Sequence, residues 1–425
     1  MPRRSAILLL ATASLFPIAV QAADALAPKA VLAAYSDLAL AMYGDSLTTA
    51  RQLDTAVEAL LAAPSEATLG AARDAWRAAR VPYMQTEAFR FGNPVVDDWE
   101  GRVNAWPLDE GLIDYVDSSY GDSTDENPLY TLNVIANTQL RIGPDVVDAT
   151  TITKELIGGT LQEALDIEKN VAIGYHAIEF LLWGQDLNGT GPGAGNRPWS
   201  DLAQGDACTN KNCDRRRAYL AAATELLVDD LGEMVADWGP DGAARTAVAE
   251  RDDAAGLTAI LTGIGSLSYG ELGGERMKLG LLLHDPEEEH DCFSDNTHNS
   301  HYYDQVGMMA IWNGRYTGLD GKVFEGPSVA GLAAAKAPEA KAAVDARMAE
   351  TLARMQAIKD TADSGKMAYD QMLAADNAAG NALIQAAVDA LVAQTRAVEA
   401  VVAALDLKIE VEGSDSLDNP SLVGQ

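Results

Sequence analysis

Apolar residues recur at every third or fourth position along most of this chain, the spacing that places them on one face of an α-helix. The clearest stripe lies near the end and consists of Ile384, Val388, Leu391, Val398, Val402 and Leu405, with Thr395 filling the one gap. Weaker stripes cover residues 26–62, 66–91, 153–184, 214–237, 254–283 and 338–374. Convincing alternating strands bounded by hairpin turns are absent. The pattern therefore predicts an all-α fold.

Long connections rich in turn-forming residues separate the stripes at residues 91–106, 117–128, 184–206 and 284–300. Loops of this length inside compact domains are usually functional. The third is rich in glycine and proline and lies near the middle of the chain, so we place a domain boundary near 205–212. The prediction is two helix-bundle-like domains, an N-terminal one at 23–207 and a C-terminal one at 208–425.

The first 22 residues have the features of a secretory signal peptide. A basic start at Arg3 and Arg4 precedes an apolar run, and small residues up to Ala22 stand at the usual cleavage spacing. An uncleaved anchor helix is the alternative, but the run falls short of the roughly 20 residues that a membrane span needs. We therefore expect a mature chain that begins near Ala23 and resides in the periplasm, where association with the outer membrane stays open.

The charge of the chain is strongly negative, with 31 Lys and Arg against 63 Asp and Glu and a formal net charge of −32. Such a field repels nucleic acid and anionic membrane surfaces, because binding to both depends on Lys and Arg neutralising phosphate. It attracts cations. The charge therefore excludes nucleic acid as a partner. It favours a metal ion only weakly, because adaptation to a saline habitat is an alternative explanation for the same excess of acidic residues.

The chain has three cysteines, which leaves one unpaired if two form a bridge. Cys208 and Cys213 flank a short polar loop, and in an oxidising compartment we expect them to pair and leave Cys292 free. A bridge from either of them to Cys292 is the alternative.

The motif with the most chemical content is Gly174-Tyr-His-Ala-Ile-Glu179. His176 and Glu179 are three residues apart in a helical context, so both side chains lie on one face and one ion can contact both. Imidazole and carboxylate together suit zinc or iron. Gly174 would admit the close approach of another backbone. The alternative is a structural His–Glu pair between packed helices.

This stretch resembles the G-x-H-x-x-E signature of the imelysin family, and the likeness extends from about residue 70 to 320. Residues 101–115 look like the family segment upstream of the signature. Trp76, Arg80, Glu87 and Phe89 fit its W…R…E-x-F helix, and residues 292–298 look like a block of its insulin-cleaving-metalloproteinase and iron-regulated-protein branch. The resemblance implies a periplasmic helical protein connected with iron regulation, for which metallopeptidase activity has also been claimed.

Further ligands must come from other segments, because two ligands rarely hold a metal tightly. The first candidates are Glu87, Asp109 and Glu275, although Asp109 and Glu110 also stand where carboxylates favour a helix dipole. A polar stripe on helix 66–91 would form a wall of the site or a solvated, salt-bridged face. The other candidates to line the site are Trp76, Arg80, Trp106, Arg276, Cys292, Ser294, Asp295 and His298.

A second metal candidate is the loop that carries His284, His290, Cys292, His298 and His301. Histidine and cysteine at this density can bind a borderline metal, but the spacing matches no standard zinc template. The alternative is a loop ordered by the turn-forming Asp291, Ser294, Asp295 and Asn296. Upstream, helix 254–283 contains five glycines, which predicts close backbone approach there.

We expect a metal-binding protein of iron uptake or homeostasis more than an enzyme, and iron more than zinc. A zinc metallopeptidase is the first alternative; it needs about three ligands, an open position and a general base, and no H-E-x-x-H occurs in the chain. A helical scaffold that captures a peptide or partner in an inter-domain groove is the second. The expected partners are a metal ion or metal complex and a membrane component of iron transport.

Overall fold

A computed structural model describes residues 27–423. The predicted signal peptide and its cleavage site lie outside the described residues. The α-helices are α1 (Pro28–Ala62), α2 (Glu66–Met84), α3 (Pro94–Glu100), α4 (Lys154–Leu156), α5 (Gly174–Trp183), α6 (Cys213–Asp237), α7 (Ala243–Ala249), α8 (Asp253–Ser266), α9 (Leu279–Leu283), α10 (Thr297–Asn313), α11 (Val329–Lys336), α12 (Pro338–Asp363), α13 (Tyr369–Leu373), α14 (Ala378–Ala404) and α15 (Asp415–Asp418). Between residues 27 and 423 no helix is both long and apolar enough to cross a membrane.

Two π-helical segments, Ile157–Leu161 and Leu267–Lys278, continue α4 and α8. Short 3₁₀ turns occupy Glu87–Phe89, Glu110–Leu112, Ser118–Tyr120, Ala164–Asp166, Trp199–Leu202, Gly205–Ala207, Pro286–Glu288 and Cys292–Ser294. Two antiparallel hairpins also occur. Strand β1 (Gln139–Ile142) pairs with β2 (Asp145–Asp148), and β3 (Arg315–Thr317) pairs with β4 (Val323–Glu325). The fold is helical as predicted, and the hairpins are three or four residues long, too short for the sequence pattern to reveal.

Local capping explains where several helices begin. Pro28 opens α1 at the first helical position, where its missing N–H costs no hydrogen bond. Ser65 and Thr68 form a reciprocal capping box at the start of α2. The side chains of Asp252 and Asn377 accept backbone N–H groups at the starts of α8 and α14.

The prediction of one helix across 153–184 is wrong. The backbone leaves the right-handed helical region at Glu163, Leu165 and Asp166, which have positive φ, and again at Gly174. These residues separate the short α4 and its π-helical turn from α5.

Helix α10 was missed by the sequence pattern. It buries His301, Asp304 and Gln305 alongside Met308 and Trp312, so polar residues share its interior face with apolar ones. A hydrophobic stripe therefore does not appear in this stretch. The ends of the other long helices agree with their stripes to within several residues, except that residues 338–374 divide into α12 and α13.

Helix packing joins the two predicted halves. Helix α1 packs against α2 and α6, α12 packs against α14, and α10 contacts both α2 and α12. The buried apolar side chains form one cluster that runs from Val31 to Val402. The boundary near 205–212 stays a prediction.

The cysteines are arranged as expected. Cys208 and Cys213 form a disulfide with an S–S distance of 2.03 Å, and Cys292 is free and buried.

Candidate metal centre

Helix α5 carries the G-x-H-x-x-E motif in the interior of the molecule, and all ten of its residues are buried. Gly174 has φ +80°, and a Cβ placed there would lie 2.6 Å from the carbonyl oxygen of Val103. The Tyr175 amide donates to that same carbonyl at 2.8 Å. Only glycine permits this approach, as predicted for position 174. The contact fixes the start of α5 and so directs the motif inward.

His176 and Glu179 contact each other directly. Nδ1 of His176 lies 3.0 Å from Oε2 of Glu179, and both side chains are 0% exposed. The other oxygen of Glu179, Oε1, accepts hydrogen bonds from the amide and the hydroxyl of Ser294 at 3.0 and 2.7 Å. Glu179 is therefore held between the motif helix and the loop before α10. Nε2 of His176 is buried and has no hydrogen-bond partner in the described residues.

His290 and Asp291 approach His176 from that same loop. The ligand atoms of His176, His290 and Asp291 lie within 4.8 Å of one another, and the three side chains are buried. The two imidazole rings meet edge to face with centroids 4.7 Å apart. His290 from the second predicted metal candidate thus joins the first. Asp291 was interpreted as a turn former only, because nothing in the local sequence indicates that it faces His176.

Arg80 anchors Asp291 from helix α2. Its guanidinium donates to Oδ1 of Asp291 at 2.8 Å and to Oδ1 of Asn104 at 2.5 Å. Asn296 and Ser300 donate to the second oxygen, Oδ2, of Asp291. The polar stripe of residues 66–91 therefore faces the interior rather than solvent over this turn of the helix.

Two tryptophans pack around His176 and the start of α5. The Trp106 ring lies 5.0 Å from that of His176 and 5.7 Å from that of Phe293. Trp76 donates from Nε1 to the carbonyl of Tyr175 at 2.9 Å, which ties α2 to the start of α5. Both tryptophans are among the predicted site-lining residues. Trp106 contacts the His176 imidazole, and Trp76 contacts the backbone of the neighbouring Tyr175.

Burial determines the charge states of these groups. Burial, reinforced by Arg80, lowers the pKa of His176 well below its ordinary value, and burial with Arg276 does the same for the pKa of His290. Burial and the nearby Asp291 raise the pKa of Glu179 well above its usual range. Burial acts to raise the pKa of Asp291 too, but Arg80 and the other neighbours of Asp291, among them the hydrogen-bond donors Ser300 and Asn296, together outweigh burial and hold this pKa below its ordinary value. Both imidazoles are neutral at pH 7, the form that binds metals.

Glu87 belongs to a separate group of charges around Arg276. Its Oε2 accepts a hydrogen bond from Arg276 at 2.6 Å, and Arg276 also donates to Glu271 at 2.9 Å. Asp304 of α10 lies 3.5 Å from the same guanidinium. Arg276 comes from the π-helical segment, whose Gly270 packs against the backbone at Glu412 as the glycine content predicted.

A cavity of about 330 Å³ lies between these two groups. Its lining includes His290 and Asn104 from the residues around His176, and Arg276 and Glu271 from the charges around Arg276. Trp106 lines the cavity as well. The exposed Glu275 lines the cavity but does not reach His176. His290 is thus buried at the wall of this cavity.

The structure does not bring several other predicted residues to His176. Asp109 accepts from Asn127 at 2.6 Å and does not cap the following turn with its side chain. His298 contacts Asp363 at 3.0 Å, and His284 contacts the carbonyl of Leu373. Cys292 is buried nearby without a bridge. Asp295 lies in a separate cluster with Asp186 and Asp370.

The fold and the site together describe a helical protein in which a G-x-H-x-x-E helix is buried against a histidine-bearing loop. The chain belongs to the imelysin family, whose model matches residues 39–398. A 64-residue segment is 44% identical to the iron-regulated protein A of Synechococcus elongatus, and this match covers 15% of the chain and 18% of that relative.

Two solved structures share the fold. An iron-regulated protein A precursor from Parabacteroides distasonis superposes with a TM-score of 0.62 at 18% identity, over 89% of this chain and 94% of that one. An imelysin-like protein from Psychrobacter arcticum gives a TM-score of 0.54 at 16% identity, over 88% and 93%. At these identities the likeness concerns the fold alone.

Proposed function

We propose that this protein binds a metal ion, iron in preference to zinc, through His176, His290 and Asp291, and that it serves iron uptake or homeostasis in the periplasm. Glu179 then orients His176 rather than ligating the ion. The observation that carries the proposal is the buried, unpartnered Nε2 of His176 in a group of three ligand side chains. An unsatisfied polar atom in such a place is costly unless something binds it.

The contacts around His176 match those that metal-binding histidines usually make. A ligating imidazole commonly donates its second N–H to a carboxylate, which fixes its orientation. Burial favours the protonated form of Glu179 in the absence of a cation. A cation at Nε2 favours the state in which Nδ1 carries the proton, Glu179 is that carboxylate and Nε2 presents its lone pair. Ser294 in turn holds Glu179 with two hydrogen bonds. Every group in this chain of contacts is buried, so the orientation of His176 is maintained without solvent.

Two histidines and one carboxylate form the ligand set of many non-haem Fe(II) sites, and the set also occurs in catalytic zinc sites. The relatives called iron-regulated protein A favour iron. Arg80 beside Asp291 reduces the negative charge that the ion encounters. This arrangement weakens the site, which suits reversible loading and transfer to a membrane component of iron transport.

Metal analysis of protein purified without chelator, with Fe(II) added anaerobically, tests the proposal. We expect near-stoichiometric iron in the wild type and its loss in His176→Ala and His290→Ala. Glu179→Gln should weaken affinity by roughly 10–100-fold, the usual effect of removing an outer-shell partner. Glu58→Gln, on the exposed face of α1, is the matched control and should bind like the wild type.

An His176→Ala variant that keeps its metal affinity but loses thermal stability would show that the His–Glu pair is structural. Zinc-dependent cleavage of a peptide, abolished by Glu179→Gln, would instead support the metallopeptidase alternative. The geometry argues against this alternative, because His176 and Glu179 are fully buried and Glu179 is occupied by His176 and Ser294.

A further inference from the structure

Three aspartates from distant parts of the chain meet outside the His176 group. Asp186 follows α5, Asp295 precedes α10 and Asp370 lies in α13, yet their carboxylate oxygens are within 4.8 Å of one another. Glu289 stands close enough for Asp370 and Asp295 to act on it electrostatically. We call Asp186, Asp295 and Asp370 the aspartate cluster.

Asp370 has no basic partner among the described residues, and only the backbone N–H groups at Asp370 and Gln371 favour its charged form. It is 0% exposed, and neither of its carboxylate oxygens has a hydrogen-bond partner in the described residues. One oxygen each of Asp295 and Glu289 is likewise buried and unpartnered. Among residues 27–423 none of these four carboxylates has a basic group within 4.0 Å. Buried like charges without a cation or hydrogen bonds are strongly unfavourable, so the geometry requires a positive partner or protons.

Arg77 is the basic side chain whose charge acts on Asp295, and its guanidinium is engaged by other groups. Arg77 acts on Asp295 only at long range, while its guanidinium contacts Asp74 at 3.5 Å and the carbonyl of Ser294 at 3.4 Å. Within residues 27–423, Asp186 accepts hydrogen bonds from the amide and the side chain of Asn188 alone. In the part of the chain that the structure describes, a cationic side chain therefore does not neutralise the cluster.

We propose that the aspartate cluster binds a hard divalent cation, Ca²⁺, at a site separate from the His176 group. The donors are all oxygens, without the nitrogen or sulfur ligands that zinc or copper prefer. Two of the three aspartates lie on loops, which accommodate the irregular coordination of Ca²⁺ more readily than the strict octahedron of Mg²⁺. Water and backbone carbonyls would complete the shell.

Protonation is the competing way to relieve the repulsion. Burial and Asp295 raise the pKa of Asp370 to about 7, and burial raises the pKa of Asp295 to about 6. At pH 8 both groups are therefore largely ionised, and the experiment below is done there, where protons do not satisfy the cluster.

A cation here would couple the cluster to the candidate iron site. Asp295 directly follows Ser294, whose amide and hydroxyl hold Glu179. Asp186 follows the end of α5, which carries His176. Ca²⁺ would thus fasten both loops to α13 and keep Ser294 in place, although none of its ligands belongs to the His176 group.

Isothermal titration and thermal unfolding of the mature protein at pH 8 with CaCl₂ test this inference. Chelator-treated wild type should bind one Ca²⁺ with a Kd of roughly 10⁻⁵–10⁻³ M and unfold at higher temperature when Ca²⁺ is present. Asp370→Asn should weaken binding at least about tenfold, since affinity follows the number of charged ligands. The same substitution should leave or raise the unfolding temperature in chelator, because it removes a buried unpaired charge.

Asp186→Asn, on a partly exposed loop, gives a second variant that tests binding if Asp370→Asn folds poorly. The exposed Asp376→Asn is the matched control and should bind like the wild type. His176→Ala should also keep its Ca²⁺ response, which separates this inference from the iron proposal. A wild type without any Ca²⁺-dependent shift, or a shift that survives Asp370→Asn and Asp186→Asn together, would overturn it. Tighter binding of Mg²⁺ than of Ca²⁺ would overturn the assignment to calcium.

Discussion

At the scale of single residues, the interior of this protein contains charges that depend on specific partners. Arg80 is 1% exposed and Asp291 is 0% exposed, and they share a hydrogen bond of 2.8 Å. A buried pair of this kind adds little net stability relative to apolar residues, but removal of one partner leaves the other charge uncompensated. The pair therefore determines where the loop with His290 and Asp291 lies, and it contributes little to the net free energy of unfolding.

Arg80→Met should lower the free energy of unfolding by about 3–5 kcal/mol, the usual cost of stranding a buried charge. The exposed pair of Arg347 and Glu350 gives a matched control, and Arg347→Met should change stability by only about 0–1 kcal/mol. Urea titrations of both variants provide the comparison.

The double variant Arg80→Met/Asp291→Asn should recover part of the loss, since the stranded charge is gone. If the double variant is as unstable as the sum of the two single changes, the ion pair is not the reason for the loss.

At the scale of elements, backbone contact between segments determines how α5 is placed. Glycine is the only residue type that fits at position 174, the first residue of α5, because φ is +80° and the backbone of Val103 occupies the place of a Cβ atom. The π-helical segment Leu267–Lys278 is also placed by a close backbone contact, since a Cβ at Gly270 would lie 2.7 Å from the carbonyl oxygen of Glu412. Extra residues in π-helical turns are common at functional sites, and here the segment carries Arg276 toward Glu87.

Gly174→Ala should destabilise the fold, with about 1–3 kcal/mol expected from the positive φ alone and more from the approach of Val103. Gly44→Ala in α1 is a control of opposite sign, because an added Cβ there meets no atom within 4 Å. It should stabilise the protein by roughly 0.5–1 kcal/mol through helix propensity. Thermal unfolding of the two variants measures both effects, and a neutral Gly174→Ala would contradict the packing described for α5.

At the scale of the whole molecule, the excess of acidic residues extends into the interior. Burial raises the pKa of Glu100 to about 7 despite Arg90, and burial raises the pKa of Glu110 to about 7. A carboxyl whose pKa is higher in the folded state stabilises the fold below its unfolded value and loses that contribution as pH rises through the folded value. Buried histidines act in the opposite direction. Burial lowers the pKa of His301 to about 3, so its contribution is present above the unfolded value and is lost as pH falls.

Stability in the presence of chelator should therefore fall on the alkaline side, from about pH 5 toward about pH 8, because Glu100 and Glu110 together lose more than His301 gains. Glu100→Gln should flatten the alkaline side, because the group that must ionise is absent. Urea unfolding at stepped pH values measures this profile. A free energy that keeps rising from pH 6.5 to pH 8, or an alkaline side unchanged in Glu100→Gln, would count against the proposed cause.

Features that arise within a few residues of sequence could be predicted. The stripes located α1, α6 and α14, because an amphipathic face requires only a local period. The pairing of His176 with Glu179 follows from a three-residue spacing, and the disulfide joins cysteines five residues apart. Gly174 also correctly predicted a close backbone approach, although the sequence did not show that the approaching segment is the backbone at Val103.

Tertiary structure alone decided the composition of the site. Ser294 meets Glu179 across 115 residues of chain, and Asp291 meets Arg80 across 211. Glu87, a predicted ligand, is instead paired with Arg276 across 189 residues. Periodicity states which face of a helix is buried, but not which other segment it is buried against. The one long loop that supplies His290, Asp291 and Ser294 has no period, so only the packing of the helices around it determines where these side chains lie.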